Sequence, residues 1–531
     1  MQKVKIYDTT LRDGSQGEGI SFSVLDKLRI AEELDKIGVN YIEGGWPGSN
    51  PKDREFFFEV AKKNLKCSKV TAFSMTRRPG TKASLDTNLK ALYKSKVSIV
   101  TIVGKTWDFH VQEVLKTTLE ENLLMIKDTI AFLKSEGLTV FYDAEHFFDA
   151  YKANKDYALN TLSAAVEAGA EVICLCDTNG GALTSEIISV VTQVKEVMDA
   201  MPKKEKPNLI LGIHCHNDSG LAVANSIAAV QAGANMVQGT INGIGERCGN
   251  ADLISVIANL QLKLNIDCIP KQNLKELIHL SHFISEISNT RVRDDQPFVG
   301  DSAFAHKGGM HINAIMKNPK TYEHINPDAV GNKRRILMSE LGGKTGILLR
   351  AKGMNLDLAK DDPQTQKILK LVQFREHQGY QFEAAEASLE VLIQGVLKKY
   401  KKFFEMESFK VVIKKISNRK IISEAEIKLK VNGKRKHTVA EGDGPVNALD
   451  NALRKALKDF YPTLAKMRLS DFKVRVLDEK SGTAAKVRVL IQSQDESDTW
   501  STIGVHENLI EASWEALVDS VEYKLLKDKQ L

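Results

Sequence analysis

The sequence predicts an α/β protein that consists of a (β/α)8 TIM barrel, a helical linker and a C-terminal α+β domain. Two observations predict the barrel: short apolar runs alternate with amphipathic helical stretches through residues 1–265, and eight such strand-helix units can be counted. A third observation separates the remainder, because the pattern changes near residue 270 and again near residue 403. We therefore expect the barrel at 1–270, the linker at 271–402 and the C-terminal domain at 403–531.

The predicted barrel strands are short and apolar, as parallel strands covered on both faces require. They lie at 4–7, 41–43, 70–73, 99–103, 140–142, 172–176, 210–214 and 236–240. The helices between them show a 3.6-residue apolar period. In residues 24–37, for example, Leu28, Ala31 and Leu34 share one face, and Gly38 ends the helix. Further helices are expected near 117–135, 155–168, 184–200, 219–232 and 250–263.

Beyond the barrel, helical patterns in residues 270–400 are interrupted by Pro297, Pro319 and Pro327, which predicts the helical linker. The C-terminal stretch then shows a weak internal duplication of two strands followed by a helix. The expected elements lie near 409–416, 424–431, 446–460, 471–477, 484–493 and 506–526. Two strand-strand-helix units of this kind predict a small α+β domain.

Composition and charge restrict the function classes. The net charge of +6 is too small to indicate nucleic-acid binding, and no apolar run reaches the ~20 residues of a membrane span. The chain begins without an apolar leader, so we expect a cytoplasmic protein. Six cysteines lack CxxC spacing and are expected to be reduced thiols. The basic segment 401–438 could bind RNA, but its alternation of charged and apolar residues favours the solvated face of a strand.

Polar residues at the ends of the predicted strands indicate a site, because the carboxyl ends of barrel strands meet at one mouth. Asp13 follows strand one, and His214 and His216 end strand seven at positions i and i+2, which point to the same side of a strand. One carboxylate and two imidazoles are credible ligands for a divalent ion, and Asn250 after strand eight could add a carbonyl oxygen. The lack of a thiolate among them favours Mg²⁺ or Mn²⁺, with Zn²⁺ as the alternative.

Further residues at the mouth are candidates for substrate binding and proton transfer. They are Arg12, Gln16, Asp143, Glu145 and Thr178. For Arg12 a purely structural role also stands open, as the ion-pair partner of Glu43 or Asp8.

Four motifs occur in order along the chain: DTTLRDGSQ at 8–16, HCHND at 214–218, GERCGN at 245–250 and HKGGMH at 306–311. Together they resemble the acyl-CoA aldol and lyase superfamily that includes the isopropylmalate, homocitrate and citramalate synthases. The lyase branch ends soon after the barrel, whereas this chain continues to residue 531, as in the synthases. The resemblance implies acetyl-CoA as cosubstrate and an α-keto acid that chelates the metal ion.

The resemblance also implies roles for single residues. Arg12 would stabilise charge on the keto oxygen, and Glu145 would position the substrate or transfer a proton. His311 is similar to the synthases' linker-borne catalytic His. It would lie with Tyr322 and act at the barrel of a partner subunit, which implies a homodimer. The expected substrate contacts are Gln16, Asp143 and Thr178, besides Arg12 and Glu145.

Within the synthases, EGGWPGSNP at 43–51 looks most like the citramalate synthase form, in which pyruvate is the acceptor. The expected reaction converts acetyl-CoA, pyruvate and water into (R)-citramalate and CoA, on the route to isoleucine. Trp46 either narrows the keto-acid pocket or closes the barrel rim. The chain departs from the family at Cys248, where a small residue is frequent, and at 143–145, where some citramalate synthases have Tyr-x-Glu.

The C-terminal domain looks like the synthases' dimerising regulatory domain. A turn at 442–445 would present backbone amides at a helix start, which favours the carboxylate of a small amino acid, and isoleucine is the expected inhibitor. Simple dimerisation is the alternative for this domain. For the whole chain, the alternatives are a 2-isopropylmalate synthase and, in another class, a non-catalytic amino-acid sensor on a decayed barrel.

Overall fold

The computed structural model of the protein describes residues 3–201, 209–337, 343–353, 358–359, 361–399, 401–415, 421–477, 482 and 484–530. None of the helices in these ranges combines the length and the apolar character that a membrane span requires. The chain divides into two compact units, the first formed by Met1–Phe304 with Ile325–Arg334 and the second by Ala305–His324 with Arg335–Leu531. Part of the expected linker segment therefore belongs to the first unit, and the three boundaries drawn from the sequence stay a prediction.

The first unit contains a closed barrel of eight parallel strands in sequence order, which confirms the predicted fold class. The strands are β1 Lys5–Asp8, β2 Tyr41–Glu43, β3 Lys69–Met75, β4 Ile99–Lys105, β5 Thr139–Glu145, β6 Val172–Asp177, β7 Ile210–Cys215 and β8 Met236–Gly239. The barrel closes where β1 pairs with β8, with Ile6 opposite Val237. All eight carboxyl ends therefore meet at one mouth.

Helices surround the barrel and are mostly those that the apolar period predicts. They are α1 Val24–Ile37, α2 Pro51–Val60, α3 Thr87–Lys94, α4 Asp108–Glu113, α5 Leu119–Ser135, α6 Phe147–Ala153, α7 Lys155–Glu167, α8 Thr184–Ala200, α9 Ala222–Gln231, α10 Leu253–Leu262 and α11 Leu277–Ile287. Helix α1 begins at a capping box between Ser23 and Asp26 and ends at Gly38, whose φ of 94° requires the left-handed region. The apolar period supplied no bounds for five helices of 6 to 11 residues, which are α2, α3, α4, α6 and α11.

Large side chains fill the interior of the barrel near the amino-terminal ends of its strands, and polar side chains fill it towards the mouth. An apolar layer is formed by Tyr7, Tyr41, Ile99, Phe141, Val172 and Met236. Above it, the Tyr7 hydroxyl lies 2.8 Å from Glu43 Oε1, 2.8 Å from Thr71 Oγ1 and 2.6 Å from Thr101 Oγ1. This hydrogen-bonded layer satisfies the buried hydroxyl groups and supports the polar mouth from below.

The second unit begins with elements that follow the barrel in the chain. They are β9 Ala305–His306, α12 Gly309–Lys317, β10 Arg335–Ile336, α13 Gly343–Gly353, α14 Pro363–His377 and α15 Glu386–Val396. Strands β9 and β10 pair in parallel, and α14 and α15 contribute Ile368, Val372, Leu389 and Ile393 to an apolar cluster. Within the described residues, helix predominates in this stretch, as the sequence predicts.

Two similar sheet-and-helix units complete the chain. They comprise β11 Glu405–Lys414, β12 Ile422–Val431, β13 Lys434–Gly442 and α16 Pro445–Leu457, then β14 Arg468–Val476, β15 Val487–Gln494, β16 Thr499–His506 and α17 Leu509–Gln530. Each sheet is antiparallel, with its strands in sequence order. The α+β class and the duplication are confirmed.

The expected count of two strands in each of these units is wrong, since the described residues form three in each. Strand β13 begins with Lys434, Arg435 and Lys436 and has no buried residue, so no apolar run marks it. Strand β16 is mostly buried but mixes Thr, Ser and His with apolar residues. Only two residues separate it from α17, and the sequence pattern assigned its last residue to the helix. In β12, buried and exposed residues alternate, which confirms that its lysines lie on the solvated face.

Candidate active site

A cavity of about 320 Å³ opens at the carboxyl ends of the barrel strands. Most of the residues that the sequence assigns to a site line it: Arg12, Asp13, Gln16, Asp143, Glu145, Thr178, His214 and His216. The turn after β1, the ends of β5, β6 and β7, and the segment after β8 each contribute to its wall. The barrel therefore brings these separate strand ends together, as the fold predicts.

The predicted metal ligands form a compact buried cluster. Asp13 Oδ2 lies 3.5 Å from His214 Nε2 and 3.9 Å from His216 Nε2, and the three residues offer ligand atoms within 4.8 Å of one another. Asn250 Nδ2 donates to Asp13 Oδ1 at 3.3 Å, which leaves the Asn250 carbonyl oxygen, Oδ1, buried and without a hydrogen-bond partner among the described residues. Oxygen and imidazole donors in this arrangement fit a divalent cation.

A hydrogen-bonded chain behind His214 determines which of its ring nitrogens carries the proton. His214 Nδ1 lies 3.0 Å from Gln238 Oε1, and Gln238 Nε2 donates to Asp143 Oδ1 at 2.8 Å. Because the amide nitrogen of Gln238 donates to Asp143, its oxygen faces His214 and accepts the Nδ1 proton. The Nε2 lone pair then points towards Asp13, where two electron-rich atoms without a cation would repel each other.

The surroundings of the cluster lower the pKa values of both Asp13 and His214, for different reasons. Burial favours the neutral acid, but Arg12 and the two imidazoles outweigh it and hold the pKa of Asp13 at about 2. Burial and the neighbouring His216 lower the pKa of His214 to about 3. At neutral pH the cluster therefore presents an ionised carboxylate and a neutral imidazole, which are the protonation states that bind metal ions.

Arg12 lies between two carboxylates at the mouth. Its Nε donates to Glu43 Oε2 at 2.5 Å and its Nη1 to Asp13 Oδ2 at 3.1 Å, while its guanidinium carbon lies 4.1 Å from the centre of the Phe73 ring. A purely structural role for Arg12 would make it the ion-pair partner of Glu43 or Asp8, and Arg12 does contact Glu43. Because Arg12 also lines the cavity, this ion pair orients the guanidinium towards a ligand and does not exclude a functional role.

The remaining predicted contacts lie around the rim. Glu145 forms an ion pair with Lys105, and the Thr178 hydroxyl accepts a hydrogen bond from the His146 backbone at 2.8 Å. Asp143 is almost completely buried beneath them, and burial followed by the charge of Glu43 raises its pKa to about 7. Asp143 therefore lines the cavity and also accepts the hydrogen bond from Gln238 that orients His214.

Comparison with known proteins identifies the chain's relatives. The HMGL-like family matches residues 3–284, the homocitrate synthase post-HMGL domain-like family matches 298–377, and the LeuA allosteric (dimerisation) domain matches 383–525. The (R)-citramalate synthase of Aquifex aeolicus (strain VF5) is 52% identical over 530 residues, which cover 100% of this chain and 99% of that protein. The chain belongs to the citramalate synthase family.

Other relatives place it within that family. The (R)-citramalate synthase of Geobacter sulfurreducens is also 52% identical, over 100% of this chain and 99% of that protein. A 2-isopropylmalate synthase of Methanocaldococcus jannaschii is 30% identical, over 99% of this chain and 95% of that protein. These two citramalate synthases are thus more similar to the chain than this 2-isopropylmalate synthase is.

Two residues that the family resemblance adds to the site, His311 and Tyr322, lie in the second compact unit. Their rings stack on each other with centroids 4.1 Å apart. His311 is in the first turn of α12, and Tyr322 follows a short helical turn after it. The two side chains thus form a pair, and its catalytic role stays a prediction.

Sequence reasoning missed Gln238 and Lys105, which hold His214 and Glu145. Gln238 is a lone polar residue in an apolar strand, and that signal could have marked it as a residue with a buried partner. Lys105 ends β4 at the same level as Glu145 ends β5. The strand-end rule applied to β4 would have found it.

Proposed function

We propose that the protein is an acyltransferase that condenses acetyl-CoA with pyruvate and water to give (R)-citramalate and CoA, in isoleucine biosynthesis. The observation that carries this proposal is the full-length similarity to curated (R)-citramalate synthases, which exceeds the similarity to a 2-isopropylmalate synthase. The convergence of Arg12, Asp13, His214 and His216 on one cavity disfavours a sensor built on a decayed barrel.

The proposed reaction joins two carbon atoms and then hydrolyses a thioester. A base removes a proton from the methyl group of acetyl-CoA, and the resulting carbanion attacks the keto carbon of pyruvate to form a C–C bond. The keto oxygen takes up a proton and becomes a hydroxyl group, and water then cleaves the thioester to release CoA. The site must therefore stabilise negative charge on two oxygens and move protons at two stages.

A divalent ion held by Asp13, His214 and His216 would supply a Lewis acid for the keto carbonyl. Mg²⁺ or Mn²⁺ is favoured because no thiolate is among these donors, and the two imidazoles keep Zn²⁺ as the alternative. Cys176 also lines the cavity. A side-chain hydrogen bond with Cys174 lowers the pKa of its thiol, but burial and the charges of nearby carboxylates together outweigh this effect and raise the pKa to about 11. A protonated thiol is a poor metal ligand, which supports the harder ions.

Residues of the chain would perform the remaining tasks. Arg12, fixed by Glu43, would stabilise charge on the keto oxygen during attack. Glu145, held by Lys105 at the rim, and the pair of His311 and Tyr322 are the candidates for proton transfer. Gln16 and Thr178 would contact the substrate from the cavity wall.

Homodimerisation and feedback inhibition by isoleucine form a further part of the proposal. They are supported by the match of residues 383–525 to the LeuA allosteric (dimerisation) domain. The backbone N–H of Asp443 already donates to Asn447 Oδ1 at 3.1 Å, so the expected anion site at this turn has fewer free amides than the sequence suggested. A cytoplasmic location stays a prediction.

Release of free CoA thiol tests the function directly. The purified protein with Mg²⁺ or Mn²⁺ should release CoA from acetyl-CoA with pyruvate, and chiral chromatography should identify (R)-citramalate. We expect kcat/KM for pyruvate to exceed that for 2-oxoisovalerate. A higher value for 2-oxoisovalerate would assign the protein to the isopropylmalate synthases, and no CoA release with any α-keto acid would contradict the proposal.

A further inference from the structure

The cavity has an apolar wall opposite its metal-ligand cluster. The loop after β2 contributes Trp46 to this wall, β3 contributes Phe73 and Met75, and β4 contributes Val103. An α-keto acid carries its polar atoms at one end and its alkyl group at the other. When the keto and carboxylate oxygens face the cluster, the alkyl group therefore faces this wall, and the wall limits its size.

Trp46 is the largest of these side chains. It lies in the loop after β2, whereas the other wall residues lie in strands β3 and β4. Its indole packs edge-on against Phe73, with ring centroids 5.9 Å apart and planes inclined by 77°. The Phe73 ring is itself held in place, because the Arg12 guanidinium lies over it. The position of the indole is thus coupled to the residue assigned to the keto oxygen.

A buried ion pair holds the backbone of this loop. Lys27 Nζ, on α1, lies 2.5 Å from Asp53 Oδ1 and donates to the Gly44 carbonyl at 3.0 Å. The other carboxylate oxygen of Asp53, on α2, accepts a hydrogen bond from the backbone N–H of Trp46 at 2.9 Å. The Lys27 and Asp53 side chains are only 3% and 8% exposed. The two charges thus clamp the residues on both sides of Gly45.

The local sequence is adapted to this clamp. Gly45 has a φ of 135°, and a Cβ atom there would lie 2.5 Å from the Asp53 carboxylate, so only glycine allows the loop to pass. Asn50 both caps Asp53 N–H through its Oδ1 at 2.8 Å and donates its Nδ2 to Asp53 Oδ2 at 3.0 Å. A buried ion pair contributes little net stability compared with apolar residues of the same volume. Its contribution here is the fixed position of the Trp46 backbone.

We propose that Trp46 sets the size of the acceptor that the cavity admits, and that the buried pair of Lys27 and Asp53 is a positioning element that holds Trp46 in place. This inference rests on the proposed condensation, because it concerns the keto acid of that reaction. It decides between the two roles that the sequence leaves open for Trp46, pocket wall and rim plug, in favour of the wall.

Replacement of Trp46 tests the first part. In Trp46→Ala, the ratio of kcat/KM for pyruvate to kcat/KM for 2-oxoisovalerate should fall by about 10–100-fold, as expected when a pocket gains room for additional methyl groups. Trp46→Phe should give an intermediate ratio. An unchanged ratio in Trp46→Ala, or an equal loss with both acceptors, would overturn the size-limiting role. Wild-type protein that releases no CoA would instead refute the proposed function itself.

Two double variants test the positioning element without leaving a charge buried and unpaired. Lys27→Met with Asp53→Asn retains an oxygen that can accept the Trp46 N–H, whereas Lys27→Met with Asp53→Ala does not. The first should keep an acceptor ratio close to wild type, and the second should shift the ratio towards that of Trp46→Ala through a higher KM for pyruvate. Lys36→Met, an exposed lysine on the same helix, is the control and should change nothing.

Metal binding provides the readout that separates positioning from general damage. Calorimetric titration with Mn²⁺ should give the same Kd for both double variants and for wild type, because the clamp does not contact Asp13, His214 or His216. Identical acceptor ratios in the two double variants would overturn the positioning role. A loss of Mn²⁺ binding in the Asp53→Ala variant would also overturn it, since the clamp would then support the whole mouth.

Discussion

The hydrogen bonds that link His214, Gln238 and Asp143 allow a quantitative prediction about metal binding. In Gln238→Met the side chain keeps its approximate volume but loses both buried hydrogen bonds, at 3.0 Å to His214 Nδ1 and at 2.8 Å to Asp143 Oδ1. The imidazole is then free to adopt the other tautomer and to rotate. Removal of such an outer partner weakens metal binding by about 10–100-fold, which corresponds to about 1.4–2.7 kcal/mol.

Mn²⁺ titration of metal-free protein by calorimetry, or by the electron paramagnetic resonance signal of free Mn²⁺, measures this effect without catalysis. Gln238→Glu separates the two hydrogen bonds, because a carboxyl group can still accept from His214. Since one proton shared between Glu and Asp143 avoids two adjacent buried charges, we expect this variant to bind Mn²⁺ within a few-fold of wild type. The order of affinity should be wild type, then Gln238→Glu, then Gln238→Met.

A matched control is available elsewhere in the same unit. Gln261 is a buried amide in α10 that donates to the Ile269 carbonyl at 3.0 Å and has no contact with the mouth. Gln261→Met should lower the thermal midpoint but leave the Kd for Mn²⁺ unchanged. If Gln238→Met binds Mn²⁺ as tightly as this control, the tautomer argument is wrong and His214 is oriented by packing alone.

Four further outcomes are expected. His214→Ala should abolish condensation and sharply weaken Mn²⁺ binding with an unchanged circular dichroism spectrum, and full activity with a chelator present would contradict the site. Arg12→Lys should lower kcat by about 10²–10³-fold with little change in acetyl-CoA binding, because an ammonium group cannot bridge Glu43 and Asp13 as the guanidinium does. Burial raises the pKa of Asp8 from 3.8 to about 7, so the folded protein keeps this proton at pH values where the unfolded chain has released it, and stability falls as pH rises from about 4 to 7. Asp8→Asn should therefore flatten the fall of the thermal midpoint of metal-free protein between about pH 4 and 7, and an identical pH profile would refute the shift. Isoleucine should inhibit the intact protein and bind it in calorimetry, and substrates should weaken that binding reciprocally; no binding would leave the C-terminal domain as a dimerisation module.

The barrel could be predicted because its signals are local. Each strand is a short apolar run, and each carboxyl end carries polar residues such as Arg12 and Asp13 after β1 or His214 at the end of β7. The closed topology then determines that these ends meet, so the sequence places the ligands without any knowledge of distances. By contrast, β13 has no buried residue and could be recognised only by its pairing with β12.

The contacts that orient the site could not be predicted, because they depend on register between strands. His214 lies directly opposite Gln238 in the pairing of β7 with β8, whereas Asp143 approaches Gln238 from β5 across the barrel interior. A one-residue change of register would turn Gln238 away from the interior and leave His214 Nδ1 without its partner. The sequence contains these residues, but only the pairing of strands in the closed sheet determines which of them are in contact.

The polar interior of the barrel explains why a charged mouth is compatible with a stable fold. From Tyr7 the hydrogen bonds run to Glu43, from Glu43 to Arg12 and from Arg12 to Asp13, so each buried charge has a partner of opposite sign or a hydroxyl donor. Burial, together with the charge of Asp13, raises the pKa of Glu43, and Arg12 and Tyr7 oppose that shift without reversing it. Removal of any one member would leave a neighbour buried without its partner, which is the expensive case for charges in a protein interior. The residues proposed to bind the metal ion and stabilise the keto oxygen are therefore held in place by the same contacts that make their burial tolerable.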